Sequence, residues 1–120
     1  MDALISPLIE ALRKAVPMVV RTAPPSGDYL EGVFSRGDLE RCTMLLKETF
    51  GPPAKEFGAV PVFSQSLHPV ITHLGGIRPD QCLFLRQREP EPIAYAALWP
   101  WASDATRITL KVGLIPTLHP

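Results

Sequence analysis

Apolar positions recur at helical spacing from the start of the chain, at Leu4, Ile5, Leu8, Ile9, Leu12 and Val16. Arg13 and Lys14 lie near the end of that run, where cations favour the helix dipole, and Pro17 stops it. The start has two readings: either Asp2 caps a helix that takes Pro7 in its first turns, or Ser6 is the cap and Pro7 the first helical residue. Met18 to Thr22 is a short β-prone run. A turn cluster, Pro24-Pro25-Ser26-Gly27-Asp28, separates it from a second strand at Tyr29 to Phe34, and a hairpin is the simplest joining of the two. Gly32 weakens the second strand or marks a bulge.

The helical period then returns. Ser35-Arg36-Gly37-Asp38 resembles a capping box with Asp in the acidic position, and a helix follows from Asp38 to Phe50. Leu39, Cys42, Leu45, Leu46 and Phe50 form its apolar stripe, Gly51 suits its C-terminal cap, and Pro52-Pro53 forbids continuation. Ala54 to Val62 fits no single period, and a short strand at Ala59 to Phe63 is one reading of it. Ser66 looks like another cap, with Pro69 in the first turn and Leu67, Val70, Ile71 and Leu74 on one face of a short helix closed by Gly75-Gly76.

From Gln81 onward the period changes from 3.6 to two. Gln81 to Arg88, Ile93 to Trp99 and Thr106 to Leu114 read as strands, joined by the turns Glu89-Pro90-Glu91-Pro92 and Ala102-Ser103-Asp104-Ala105. The last alternates strictly, with Ile108, Leu110, Val112 and Leu114 on one face and Arg107, Thr109 and Lys111 on the other. Short connections between consecutive strands imply antiparallel neighbours, so the last third is a three-stranded meander. The expected fold is a single α+β domain over residues 1–120, in the order α-β-β-α-α-β-β-β, with helices covering one face of an antiparallel sheet. In order of elements alone it resembles the profilin-like and roadblock-like layouts, which carry no function by themselves.

Composition narrows the picture. At 120 residues the chain has room for one ordinary core. Its 14 prolines fall in clusters at element ends and form no low-complexity tract. Lys+Arg and Asp+Glu are equal at 12 each, so no global field steers the chain to nucleic acid or anionic membrane, and little repulsion keeps copies apart. Cys42 and Cys82 have neither disulfide-scaffold density nor CxxC spacing and read as two buried thiols. No apolar run approaches the roughly 20 residues that cross a bilayer, and the N-terminal stretch lacks the pattern of a leader, so a cytoplasmic chain is expected.

Candidate chemistry centres on the meander. Phe84, Arg86 and Arg88 share one side of their strand, and Arg107, Thr109 and Lys111 one side of theirs. If the middle strand turns Tyr95 and Trp99 the same way, aromatic and basic groups interleave as on a single-strand nucleic-acid platform, where rings stack bases and cations meet phosphates. If instead Ile93, Tyr95, Ala97 and Trp99 face the core, the outer face is Ala94, Ala96 and Leu98, flat and small, and suits a second copy or a partner protein. Trp99-Pro100-Trp101 sends two indoles to one side of an extended segment, where they could line a pocket or anchor a partner. A pocket around Trp99, Trp101, Cys82 and His73 would suit a small molecule or a minor enzyme. His68 and His73 are five apart, unlike the i, i+4 pair of a zinc helix, and His119 stands alone near the end. No nucleophile elbow or phosphate loop is present, and no metal or cofactor is expected. The sequence favours a non-catalytic interaction domain that self-associates through its sheet, with Phe84, Arg86, Arg88, Tyr95, Trp99, Trp101, Arg107 and Lys111 as the candidate surface.

Overall fold

The computed structural model describes residues 5–63, 65–87 and 92–115. Asp2, Leu4, Arg88, the Glu89-Pro90-Glu91 turn, the Ser66 side chain and His119 lie outside the described residues. Helix α1 spans Ile5–Ala15, strands β1 and β2 span Met18–Thr22 and Leu30–Ser35, and helix α2 spans Leu39–Phe50. A short helix, α3, follows at His68–His73, and the meander is β3 (Cys82–Arg86), β4 (Ile93–Pro100) and β5 (Arg107–Ile115). All neighbours are antiparallel in one five-stranded sheet of order β1-β2-β5-β4-β3. The α+β class and the C-terminal meander are therefore as expected.

Helix α1 takes Pro7 in its first turn. Ser6 is not a cap; its hydroxyl donates to the Gly27 carbonyl at 2.9 Å and ties the helix to the β1–β2 turn. The capping box at Ser35 does not close. Ser35 Oγ accepts instead from the Gly37 amide, capping a single 3-10 turn at Arg36–Asp38, and Asp38 pairs with Arg41 at 3.8 Å. Gly51 ends α2 with φ +79°, a conformation that glycine adopts without a Cβ penalty. The stretch from Ala59 to Phe63, open to a strand reading, forms none. The chain makes its sheet contact earlier, where Lys55 bridges Leu83.

Helices cover both faces of the sheet, not one. On the first face, Ile5, Leu8, Leu12 and Val16 of the α1 segment and Cys42 and Leu46 of α2 pack on Leu30, Phe34, Phe84, Ala96, Leu98, Ile108, Leu110 and Val112. This is the main core. On the second face, Val70 and Leu74 of the α3 segment, with Ile77, cover Leu83, Tyr95, Ala97 and Ile115. That cover reaches only the β3–β4 side.

Cys42 and Cys82 are free thiols buried in the main core. Burial pushes Cys82 up to about 11, with Glu56 adding, and Cys42 up to about 12, with Cys82 adding. The fold thus holds both thiol protons more tightly than the unfolded chain does. Their contribution is complete below the ordinary thiol value of 9 and is lost as pH rises through 11 and 12. Urea denaturation should show stability falling on the order of 1 kcal/mol per thiol by pH 10. Cys42→Ala should flatten that slope, and a flat profile in the wild type between pH 8 and 10 would contradict the assignment.

Candidate interaction surface

The facing of β4 follows from its register. Ala94, Ala96 and Leu98 pair with Leu114, Val112 and Leu110 and are buried under α1 and α2. The flat alanine face expected on the outside is core, because the two helices need small residues beneath them to approach the sheet. Tyr95 and Trp99 lie on the second face, opposite Gly113 and Thr109, and share it with Arg107 and Lys111, but Tyr95 is buried beneath the α3 segment and is not part of an exposed surface.

Phe84 and Arg86 take the opposite side. Phe84 is 1 % exposed, belongs to the main core, and meets the Phe50 ring at 6.0 Å. Arg86 donates to the Thr49 carbonyl at 3.1 Å, placing a cation on the last turn of α2, where the helix dipole favours it. Neither residue stands on the platform that the sequence suggested. Cys82 also faces the main core, opposite Leu98, whereas Trp99 faces away and His73 is exposed on α3. The four residues imagined around one pocket therefore do not converge.

What the fold does bring together is a strip across the uncovered half of the second face, over β1, β2 and β5. Trp101 follows the end of β4, and its amide donates to the Arg107 carbonyl at 3.0 Å. Its indole N–H donates to Thr109 Oγ at 2.8 Å, which lays the ring back across β5. Arg107 lies 5.5 Å from the centre of that ring and Arg21 lies 5.6 Å from it. Lys111 Nζ stands 4.0 Å above the Trp99 ring. Such contacts contribute about 0.5–1 kcal/mol each at exposed sites and fix the position of the cations.

Arg21 reaches this strip through a local irregularity. Val20 pairs with Gly32 and Thr22 with Glu31, so Arg21 is the extra residue of a bulge in β1. Bulges re-aim side chains, and here the arginine turns toward Trp101. Gly32 sits beneath with Met18 against it; a Cβ there would stand 2.7 Å from the Met18 sulfur. At the other end of the strip, Gly113 leaves room for Tyr29 and Tyr95, both of which a Cβ would meet at 3.0 Å or less. Tyr29 donates to Glu31 at 3.0 Å, and burial, then that bond, raises its phenol above the ordinary value; burial raises Tyr95 likewise.

Asp104 anchors the turn before β5. It accepts from the Thr106 hydroxyl at 2.6 Å and the Thr106 amide at 3.0 Å, and those bonds, with Arg107 nearby, hold its carboxyl below the usual range. Its partnership with Arg107 at 3.4 Å is the strip's one ion pair among the described residues. Arg21 and Lys111 have rings beside them but no carboxylate partner there. The buried indole N–H of Trp99 also finds no hydrogen-bond partner among the described residues.

The two edges of the sheet are finished differently. At β3, Leu83 exchanges backbone bonds with residues 54 and 55, and the Lys55 ammonium, 4 % exposed as a residue, donates to the Pro79 and Gln81 carbonyls. Burial lowers its pKa. At β1, no backbone bond to any segment but β2 occurs among the described residues, and Val19 is 66 % exposed. Val19 and Arg21 were absent from the expected surface, as was Lys55. Met18 to Thr22 reads as a β-prone run, but nothing local announces the bulge or the buried lysine.

Among the described residues, no helix is long and apolar enough to cross a membrane, and no cluster of three or more His, Cys, Asp or Glu side chains could hold a metal ion. Compared with family models, with curated proteins and with solved structures, the chain matches none.

Proposed function

We propose that this chain is a non-catalytic interaction domain that self-associates through the free β1 edge of its sheet. The observation that carries the reading is the contrast between the two edges: residues 54 and 55 close β3, while β1 presents its backbone and an exposed valine. A free edge is a template for a further strand. Two copies of β1 running antiparallel about a two-fold axis through Val20 would set Val19 of each copy beside Arg21 of the other. That leaves the arginines apart and joins the two second faces side by side. The equal numbers of acidic and basic residues offer no net repulsion to this pairing. A cytoplasmic setting goes with the proposal, since two free buried thiols suit a reducing compartment.

Sedimentation velocity over a range of concentrations tests the pairing. The wild type should show a concentration-dependent dimer. Val19→Lys puts like charges across both symmetric pairs and should weaken the dimer at least about tenfold. Because Val19 is exposed, the thermal midpoint should stay nearly unchanged. A monomer at every concentration, or a dimer indifferent to Val19→Lys, refutes the edge pairing.

A further inference from the structure

The strip on the second face has a chemistry of its own, separate from the edge beside it. Three cations, Arg21, Arg107 and Lys111, stand along it, and rings hold all three in place. Of these, Arg107 has a carboxylate partner among the described residues, Asp104, which is already occupied by Thr106. Glu31 is a further acid on this face; it lies opposite Lys111 in the register and accepts from Tyr29. A shallow groove lined by Pro17, Met18, Val19, Val33, Ser35 and Arg107 opens into the same strip. The surface therefore offers positioned positive charge next to an apolar slot.

Cations pinned on ring faces have lost much of the rotamer freedom that binding would otherwise remove, so a carboxylate meeting them costs little further order. They are also charge-complementary to an anion, and arginine in particular offers a carboxylate two parallel donors. We propose that the strip receives an extended acidic segment of a partner protein. Its carboxylates meet Arg21, Arg107 and Lys111, and an apolar side chain enters the groove beside Val19. An acidic protein segment fits better than a nucleic acid strand. Glu31 and Asp104 interrupt the positive charge that a continuous phosphate backbone would track, and the chain as a whole carries no net charge. The inference shares the reading of this protein as an interaction domain but does not require its self-pairing.

The chain has only two tryptophans, Trp99 and Trp101, and both lie on the strip, so intrinsic fluorescence reports its occupancy directly. The probes are a short synthetic peptide alternating Glu and Val, the same peptide with Gln for Glu, and single-stranded oligothymidylate. The Glu peptide should change the emission, and its affinity should fall as salt rises. The double variant Arg21→Gln with Lys111→Gln should weaken it about tenfold or more while the thermal midpoint holds. Equal binding of the Gln peptide, binding of oligothymidylate in place of the Glu peptide, or indifference to the double variant would each overturn the proposal. Sedimentation without peptide separates the two readings, because Val19 and Arg21 serve both. A protein that is monomeric alone and binds the peptide keeps this inference and removes the edge pairing; a dimer that ignores the peptide does the reverse.

Discussion

Phe84→Ala destabilises the fold by about 3–5 kcal/mol, toward the top of the range for loss of a buried aromatic ring. The ring is 1 % exposed and meets Phe50 of α2 at 6.0 Å, so its removal opens a void between that helix and the sheet. The void does not refill easily, because the residue across the strand pair is Ala96 and Ala94 is the next on that face of β4. Neither has a side chain long enough to move in. Urea denaturation should show a lower midpoint with the slope nearly unchanged. For a domain whose total stability is about 5–15 kcal/mol, this is a large share. The same experiment decides between the two placements of this residue: a surface ring would cost less than about 0.5 kcal/mol on truncation and would act on binding instead. A loss below about 1 kcal/mol would return Phe84 to the surface.

That residue also shows where the sequence stops being informative. The strict alternation of 107–115 made β5 legible, and Pro17, Gly51 and the Gly75-Gly76 pair marked ends that the structure keeps. Each of those signals is local: a missing donor, a positive φ, a period of two. The facing of β3 and β4 is not local. Cys82 to Leu85 and Ile93 to Trp99 carry no charged residue at all, because helices cover both faces of the sheet there. With apolar residues at every position, alternation has nothing to alternate against, and a one-residue shift exchanges Ala94, Ala96 and Leu98 for Tyr95, Ala97 and Trp99. Only the pairing with β5, where Trp99 meets Thr109 and Leu98 meets Leu110, selects the arrangement. Arg86 misleads for a related reason. A charged residue at a strand end reads as solvent-facing, yet its guanidinium serves the C-terminus of a helix 37 residues away in the chain. The candidate surface was legible where both neighbours are strands, at Trp99, Arg107 and Lys111, and illegible at Arg21, which depends on a bulge.

Lys55→Met should lose about 1–3 kcal/mol and open the closed edge of the sheet. Methionine keeps most of the side chain's length but donates nothing. The buried Gln81 carbonyl then loses the donor that Lys55 supplies, which costs about 1–3 kcal/mol, whereas the exposed Pro79 carbonyl keeps the Gly58 amide. Relief from burying an ammonium offsets part of this. The pH dependence has a definite sign. Burial lowers the Lys55 pKa, so the folded chain binds this proton less tightly than the unfolded one. The contribution of this group therefore becomes more favourable as pH climbs from the lowered value toward the ordinary 10.5, and the variant lacks that rise. Hydrogen exchange distinguishes a local role from a global one. The Leu83 amide donates to the Lys55 carbonyl and should lose protection first, while the Leu110 amide in the central strand β5 should exchange only through global unfolding. Uniformly faster exchange would make Lys55 an ordinary packing residue. Selective exposure of β3 would instead open the edge that residues 54 and 55 now close, and the variant should then aggregate through the side that the wild type keeps shut.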